Sequence, residues 1–211
     1  IDGISLKYAK GCNILEDERL EKIVTPGNAS RWDRRPLDEM ISEAVSAARN
    51  SDVVIAAMGE AANMSGESGS RTDISLPECQ KKLLKALTGT GKPVVLVLFS
   101  GRPMTLAWEN EAMTSILQTW FGGSEAADAI TDVLFGDVNP SGKLTMSFPC
   151  SVGQIPVYYN MKNTGRDAYS KDYCRYASNW IDCPNEPLYP FGYGLSYTTF
   201  EYSPVALSDT V

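Results

Sequence analysis

One stretch of the chain gathers the residue types that acid–base chemistry needs. Residues 59–73 read GEAANMSGESGSRTD and hold two carboxylates of interest, Glu60 and Glu67, with Arg71 and Asp73 close behind. Glu67 is flanked by Gly66, Ser68 and Gly69, so little side-chain bulk shields it and the backbone is free to bring it to a substrate. A carboxylate so placed suits a general acid or base. A solvated glutamate in a flexible loop fits the same residues, and the loop alone does not choose between the two. Glu60, at the head of the stretch, suits a structural acceptor for backbone N–H groups.

What is absent narrows the chemistry further. The 211 residues include no histidine, which excludes Ser-His-Asp or Cys-His catalysis within this chain and any His-ligated metal. Proton transfer therefore falls to carboxylates, Tyr, Lys or Cys. The cysteines Cys12, Cys79, Cys150, Cys174 and Cys183 show no C-x-x-C spacing, so no metal site and no cofactor are expected. Cys174 and Cys183 are near enough in sequence to close a small disulfide loop in an export compartment; free thiols are the plainer reading. A formal charge of −7 argues against a nucleic-acid partner, which needs clustered Lys and Arg. The longest apolar run, residues 93–99, is too short to span a bilayer. The chain opens at Ile1 with no Met and no charged-then-apolar leader, which reads as a cut made upstream.

The elements that must position the loop follow from periodicity. Residues 4–9 read as a strand, and residues 10–35 as a polar, irregular surface segment. Pro36 opens a helix with Leu37, Met40, Ile41, Ala44, Val45 and Ala48 on one face. Residues 52–58 form the next strand, directly before the loop. Ser75 and Glu78 suggest a capping box ahead of a helix carrying Leu83, Leu84 and Leu87. PVVLVLF at 93–99 is apolar at every position, as a central parallel strand covered on both faces would be. A short helix at 105–112, a strand at 115–121, a helix at 124–135 stopped by Gly136 and a short strand at 144–148 complete the pattern. This alternation predicts an α/β fold: a three-layer αβα sandwich with a mostly parallel, flavodoxin-like, doubly wound sheet. From residue 150 the chain is rich in Tyr, Pro and Gly without helical period, and reads as a long irregular tail packed by its aromatics. In such folds ligands sit beyond the carboxyl ends of the strands, where the 59–73 loop belongs.

Other motifs carry less. Gly89-Thr90-Gly91-Lys92 resembles the end of a phosphate-binding loop, but Pro93 stands where Ser or Thr is needed and a strand follows it. No G-x-G-x-x-G supports a dinucleotide site, and Gly66-Glu67-Ser68-Gly69 is not a nucleophile elbow. Trp108, Trp120 and Trp180 suit either core packing or stacking on sugar rings.

Six stretches carry a family resemblance: residues 59–76 (GEAANMSGESGSRTDISL), 92–103 (KPVVLVLFSGRP), 119–123 (TWFGG), 134–149 (LFGDVNPSGKLTMSFP), 151–158 (SVGQIPVY) and 188–198 (LYPFGYGLSYT). In this order they resemble the carboxy-terminal domain of glycoside hydrolase family 3, with bacterial periplasmic β-glucosidases as the nearest type. The resemblance implies a retaining, exo-acting hydrolase of β-linked glucosides or oligosaccharides. An amino-terminal (β/α) barrel, not within these residues, would supply the nucleophilic aspartate. Aligned on the G-E start and the S-x-x-R-T-D end, the acid/base glutamate falls on Glu67, and Glu60 matches a non-catalytic glutamate. Arg71, Asp73 and Arg175 are the candidates for binding the leaving-group side of the substrate. The resemblance also implies residues 1–199 as a sandwich domain lacking its first stretch, and residues 200–211 as a linker towards a fibronectin type III-like domain. A periplasmic or secreted location follows from the same likeness. Three other readings stay open: β-xylosidase specificity in place of β-glucosidase, a non-catalytic scaffold that shapes a pocket, and a nucleotide-binding flavodoxin-like module, which rests on the α/β pattern alone.

Overall fold

The computed structural model describes residues 3–27, 31–166 and 173–208. Three strands, β1 (Val54–Gly59), β2 (Val94–Phe99) and β3 (Ser115–Gln118), form a wholly parallel sheet in the order β1-β2-β3. The register pairs Val54 with Val94 and Val95 with Ser115, so all three carboxyl ends lie on one edge. The α/β class and parallel sheet match the periodicity. Among the described residues the strand order is consecutive.

Among the described residues five α-helices accompany the sheet: α1 (Glu18–Val24), α2 (Leu37–Arg49), α3 (Glu78–Thr88), α4 (Ala107–Ala112) and α5 (Ala126–Phe135). On α2 the predicted stripe is the buried one, through Met40, Ala44 and Ala48. On α3, Leu83, Leu84 and Leu87 turn inward against β1 and β2. Val94, Leu96 and Leu98 are almost wholly buried on one face of β2, and Val97 on the other. Each such side chain contributes roughly 1.5–3 kcal/mol on leaving water. By contrast no residue of α5 is fully buried; Ala126, Ile130, Val133 and Leu134, which the spacing selects, are half-buried, as is Asp132. Gly136 ends α5 in the left-handed conformation, φ 84°.

Several expectations are corrected. Residues 4–9 form no strand, and Leu6 and Tyr8 are exposed. An apolar alternation makes a strand only where a neighbour supplies backbone partners, and no described residue pairs with them. Within the polar 10–35 segment α1 does form, capped by Asp17, whose carboxylate accepts from Leu20 N at 2.9 Å. The capping box at Ser75 and Glu78 is absent. Instead Glu16, from a different part of the chain, accepts from the Cys79 backbone N–H in the first turn of α3. Residues 144–148 lie outside the sheet. They run antiparallel to 189–193 of the tail, with Phe148 N donating to Tyr189 O and Leu144 N to Tyr193 O, both at 2.8 Å. Pro190 in the partner segment has no N–H to extend that ladder.

The five cysteines are free thiols. Cys183 lies against Cys150, not against Cys174, so the predicted small disulfide loop is not formed. The tail is held by rings: Trp120, Phe148, Tyr189 and Tyr193 follow one another at centroid distances of 5.8, 6.0 and 5.1 Å. Trp120 therefore packs. Trp108 also lines the core, with the Lys85 ammonium 5.8 Å from its ring, whereas Trp180 stays exposed.

Candidate active site

The long loop leaves the carboxyl end of β1 under tight restraint. Gly59 is its hinge: a Cβ there would lie 1.8 Å from Phe99 O of the neighbouring strand, and its φ is +139°. Only glycine admits both conditions. The buried amide of Gln80 closes on the same residue, accepting from Gly59 N and donating to Gly59 O, each at 2.8 Å. Its amide nitrogen also donates to Ile14 O at 2.9 Å, which ties the N-terminal segment to the base of the loop.

Glu60 comes next, and its side chain is completely buried. Its backbone N–H donates to Phe99 O at 2.8 Å. Its carboxylate accepts from Arg71 Nη1 at 2.8 Å and from Arg102 Nε at 3.1 Å. The expectation of a structural acceptor is met in kind, but the donors are two guanidinium groups. A buried carboxylate without them would carry a large desolvation cost. Arg71 also donates to Ser75 O at 3.1 Å. Arg102, from the loop after β2, donates to Gly69 O at 2.7 Å and to Met64 O.

Between Met64 and Gly69 the chain makes a turn closed by Gly69 N donating to Gly66 O at 3.1 Å. Glu67 and Ser68 are its two central residues, and Ser68 alone of the pair has a left-handed φ, 59°, as in a type II turn. The Glu67 side chain is exposed at this crest. Beneath it, Ser65 rests on Gly101, where an added Cβ would come within 1.9 Å of Ser65 Oγ and 2.9 Å of the Phe121 ring. A side chain on residue 101 would push the loop away.

Farther along, Asp73 accepts from Ser75 N at 2.8 Å. Hydrogen bonding from Ser75 holds its carboxyl below the usual carboxylate range. Ile74 and Leu76 are buried, and Ile74 O accepts from Thr105 N at 3.2 Å. Both limbs of the loop are thus tied to the segment that follows β2. Arg175 stands apart in the tail, exposed, with its guanidinium 5.0 Å from the Tyr176 ring. Glu60, Arg71 and Arg102 converge, Glu67 stands above them, and no contact joins Arg175 to the group. Arg102 and Gln80 escaped the sequence reading. The readable signal for Arg102 was a cation in the short SGRP turn after the most apolar strand, at the same sheet edge as the glutamate loop.

The chain matches the glycosyl hydrolase family 3 C-terminal domain over residues 2–197. It is 52% identical over 208 residues to a periplasmic β-glucosidase of Salmonella typhimurium, covering 98% of this chain and 27% of that protein. A β-xylosidase of Formosa agariphila is 42% identical, covering 98% of this chain and 25% of its own length. Among solved structures, the β-glucosidase of Listeria innocua in complex with gluconolactone superposes with a TM-score of 0.75 at 47% identity. That alignment covers 79% of this chain and 23% of the other. The chain spans about a quarter of the length of these relatives.

Proposed function

Since the chain belongs to the glycosyl hydrolase family 3 C-terminal domain family, we propose that it is the acid/base-bearing part of a retaining, exo-acting β-glucosidase-like hydrolase. Glu67 protonates the glycosidic oxygen as its bond to the anomeric carbon breaks and the nucleophile forms a glycosyl ester. The Glu67 carboxylate then takes a proton from the water that attacks that ester, which regenerates both groups. The nucleophile is an aspartate on an amino-terminal (β/α) barrel of the same polypeptide. A site of this kind holds its two carboxyl groups ~5–5.5 Å apart.

The observation that supports this most directly is the exposed carboxylate at the crest of a hydrogen-bonded turn, on a loop bound to the carboxyl edge of a parallel sheet. Asp73 and Arg175 are proposed for the leaving-group side, with Arg71 bordering it from its ion pair to Glu60. Residues 1–199 form the sandwich domain and residues 200–211 lead to a fibronectin type III-like domain. The substrate is a β-glucoside or β-linked oligosaccharide, and the protein is periplasmic or secreted. Among the described residues no helix is long and apolar enough to cross a membrane.

The test is Glu67→Ala in the full-length polypeptide, with aryl β-glucosides of good and poor leaving groups, with and without azide. Turnover of poor-leaving-group substrates falls by ~10²–10⁴, and azide restores rate on activated ones by forming a β-glycosyl azide. The exposed Glu111 on α4 serves as the control; buried Glu60 is unsuited, because its loss disturbs the loop itself. Near-normal activity of Glu67→Ala on poor leaving groups means that this domain is a scaffold. The β-xylosidase relative motivates a second reading of specificity, and a higher kcat/KM on aryl β-xylosides than on glucosides decides for it.

A further inference from the structure

We propose that Arg102 is a positioning residue for Glu67, and that one guanidinium sets where the acid/base carboxylate stands. The inference rests on the reading of Glu67 as that acid/base.

Arg102 leaves the carboxyl end of β2, the most completely buried strand of the sheet. Its own turn is fixed from below: buried Ser100 donates from Oγ to Arg102 O at 2.8 Å, and Gln118 at the end of β3 donates to Ser100 Oγ at 3.0 Å. From this base the planar guanidinium makes contacts in two directions. Nε reaches the Glu60 carboxylate, at 3.1 Å to one oxygen and 3.4 Å to the other. Nη2 donates to Met64 O and Gly69 O, the carbonyls on either side of the four residues that carry Glu67. The ends of the turn are therefore held by one side chain rooted in a different strand. Glu67 itself has no hydrogen-bond or ion-pair partner among the described residues. With no direct restraint on the carboxylate, its location is set by the backbone beneath it.

The geometry needs arginine. A lysine ammonium is a point charge on a flexible stem and does not present the flat fork that meets a carboxylate and two carbonyls together. Arg71 performs only half of this task, since it binds Glu60 and Ser75 O but neither end of the 65–68 turn. General acid catalysis requires the proton donor within hydrogen-bond reach of the departing oxygen, and displacements near 1 Å at such positions cost up to ~10²-fold in rate.

The experiment places Arg102→Lys and Arg102→Gln in the full-length polypeptide, each alone and combined with Glu67→Ala. It measures kcat/KM across aryl β-glucosides from dinitrophenyl to weakly acidic phenols. For a positioning role, each single variant loses ~10–100-fold on poor leaving groups and no more than ~2-fold on the dinitrophenyl substrate, which needs little protonation. In the Glu67→Ala background the Arg102 change then has no further effect on poor leaving groups. An equal loss across the whole series, or losses that multiply in the double variant, overturns the proposal and leaves Arg102 a stabilising residue. If Glu67→Ala alone spares poor leaving groups, the acid/base assignment fails, and this inference falls with it. Arg102→Lys keeps a cation beside Glu60 and is the milder variant should Arg102→Gln not fold.

Discussion

The loop after β1 and the tail beyond residue 149 are both long and largely irregular, yet they are held in opposite ways. The loop is fastened by charge: a buried carboxylate, two guanidinium groups and three backbone carbonyls. The tail is fastened by rings in contact from Trp120 through Phe148 and Tyr189 to Tyr193. Hydrogen bonds are directional and fix position, whereas apolar contacts fix proximity with more latitude. The candidate acid/base stands on the polar-clamped segment, where location matters most, and the aromatic-held segment covers the core.

The largest expected stability effect lies on the tail side. Phe148 is 1% exposed and contacts both Trp120 and Tyr189, so Phe148→Ala lowers unfolding free energy by about 3–5 kcal/mol, read by urea denaturation. Its kcat/KM on poor and good leaving groups changes in equal proportion. Glu60→Ala acts on the loop and costs less, about 1–3 kcal/mol, because Arg71 and Arg102 keep 18% and 20% exposure and regain water. It nevertheless falls hardest on poor-leaving-group substrates. A uniform loss there removes the distinction between the two regions. Gly101→Ala is smaller still, roughly 1–2 kcal/mol, since Ser65 must yield; its signature is again leaving-group-dependent turnover.

The smallest effects are those of pH, and they differ in sign between the regions. Asp73, lowered by its Ser75 hydrogen bonds, contributes fully above the ordinary aspartate pKa near ~4. That contribution is lost as pH falls through the lowered value, so exchange protection of the Ser75 amide fades in acid and is already weak in Asp73→Asn. Burial pushes the Tyr189 phenol up to about 12, with Tyr193 and Glu109 adding to it. Its contribution is complete below ~10 and is lost as pH rises through that raised value, as the O–H that donates to Asn110 at 2.7 Å is removed. Tyr189→Phe costs about 1 kcal/mol and abolishes the alkaline step in tail stability.

Local pattern determined much of this protein. The stripe on α2, the apolar run of β2, the Gly136 stop and the glutamate loop after β1 were legible because helix and strand periods and turn chemistry act between near neighbours in sequence. The six family stretches likewise identified Glu67 as the acid/base candidate. Tertiary structure alone decided the rest. Residues 4–9 and 144–148 have strand-like composition, but strand formation depends on which backbone lies alongside. The first helical turn of α3 receives Glu16 in place of a local cap, and Cys183 faces Cys150 in place of Cys174. The Glu60 clamp joins residues 42 positions apart. A buried carboxylate takes whichever cations the fold brings within reach, and that choice is made in space, where one-dimensional spacing carries no information.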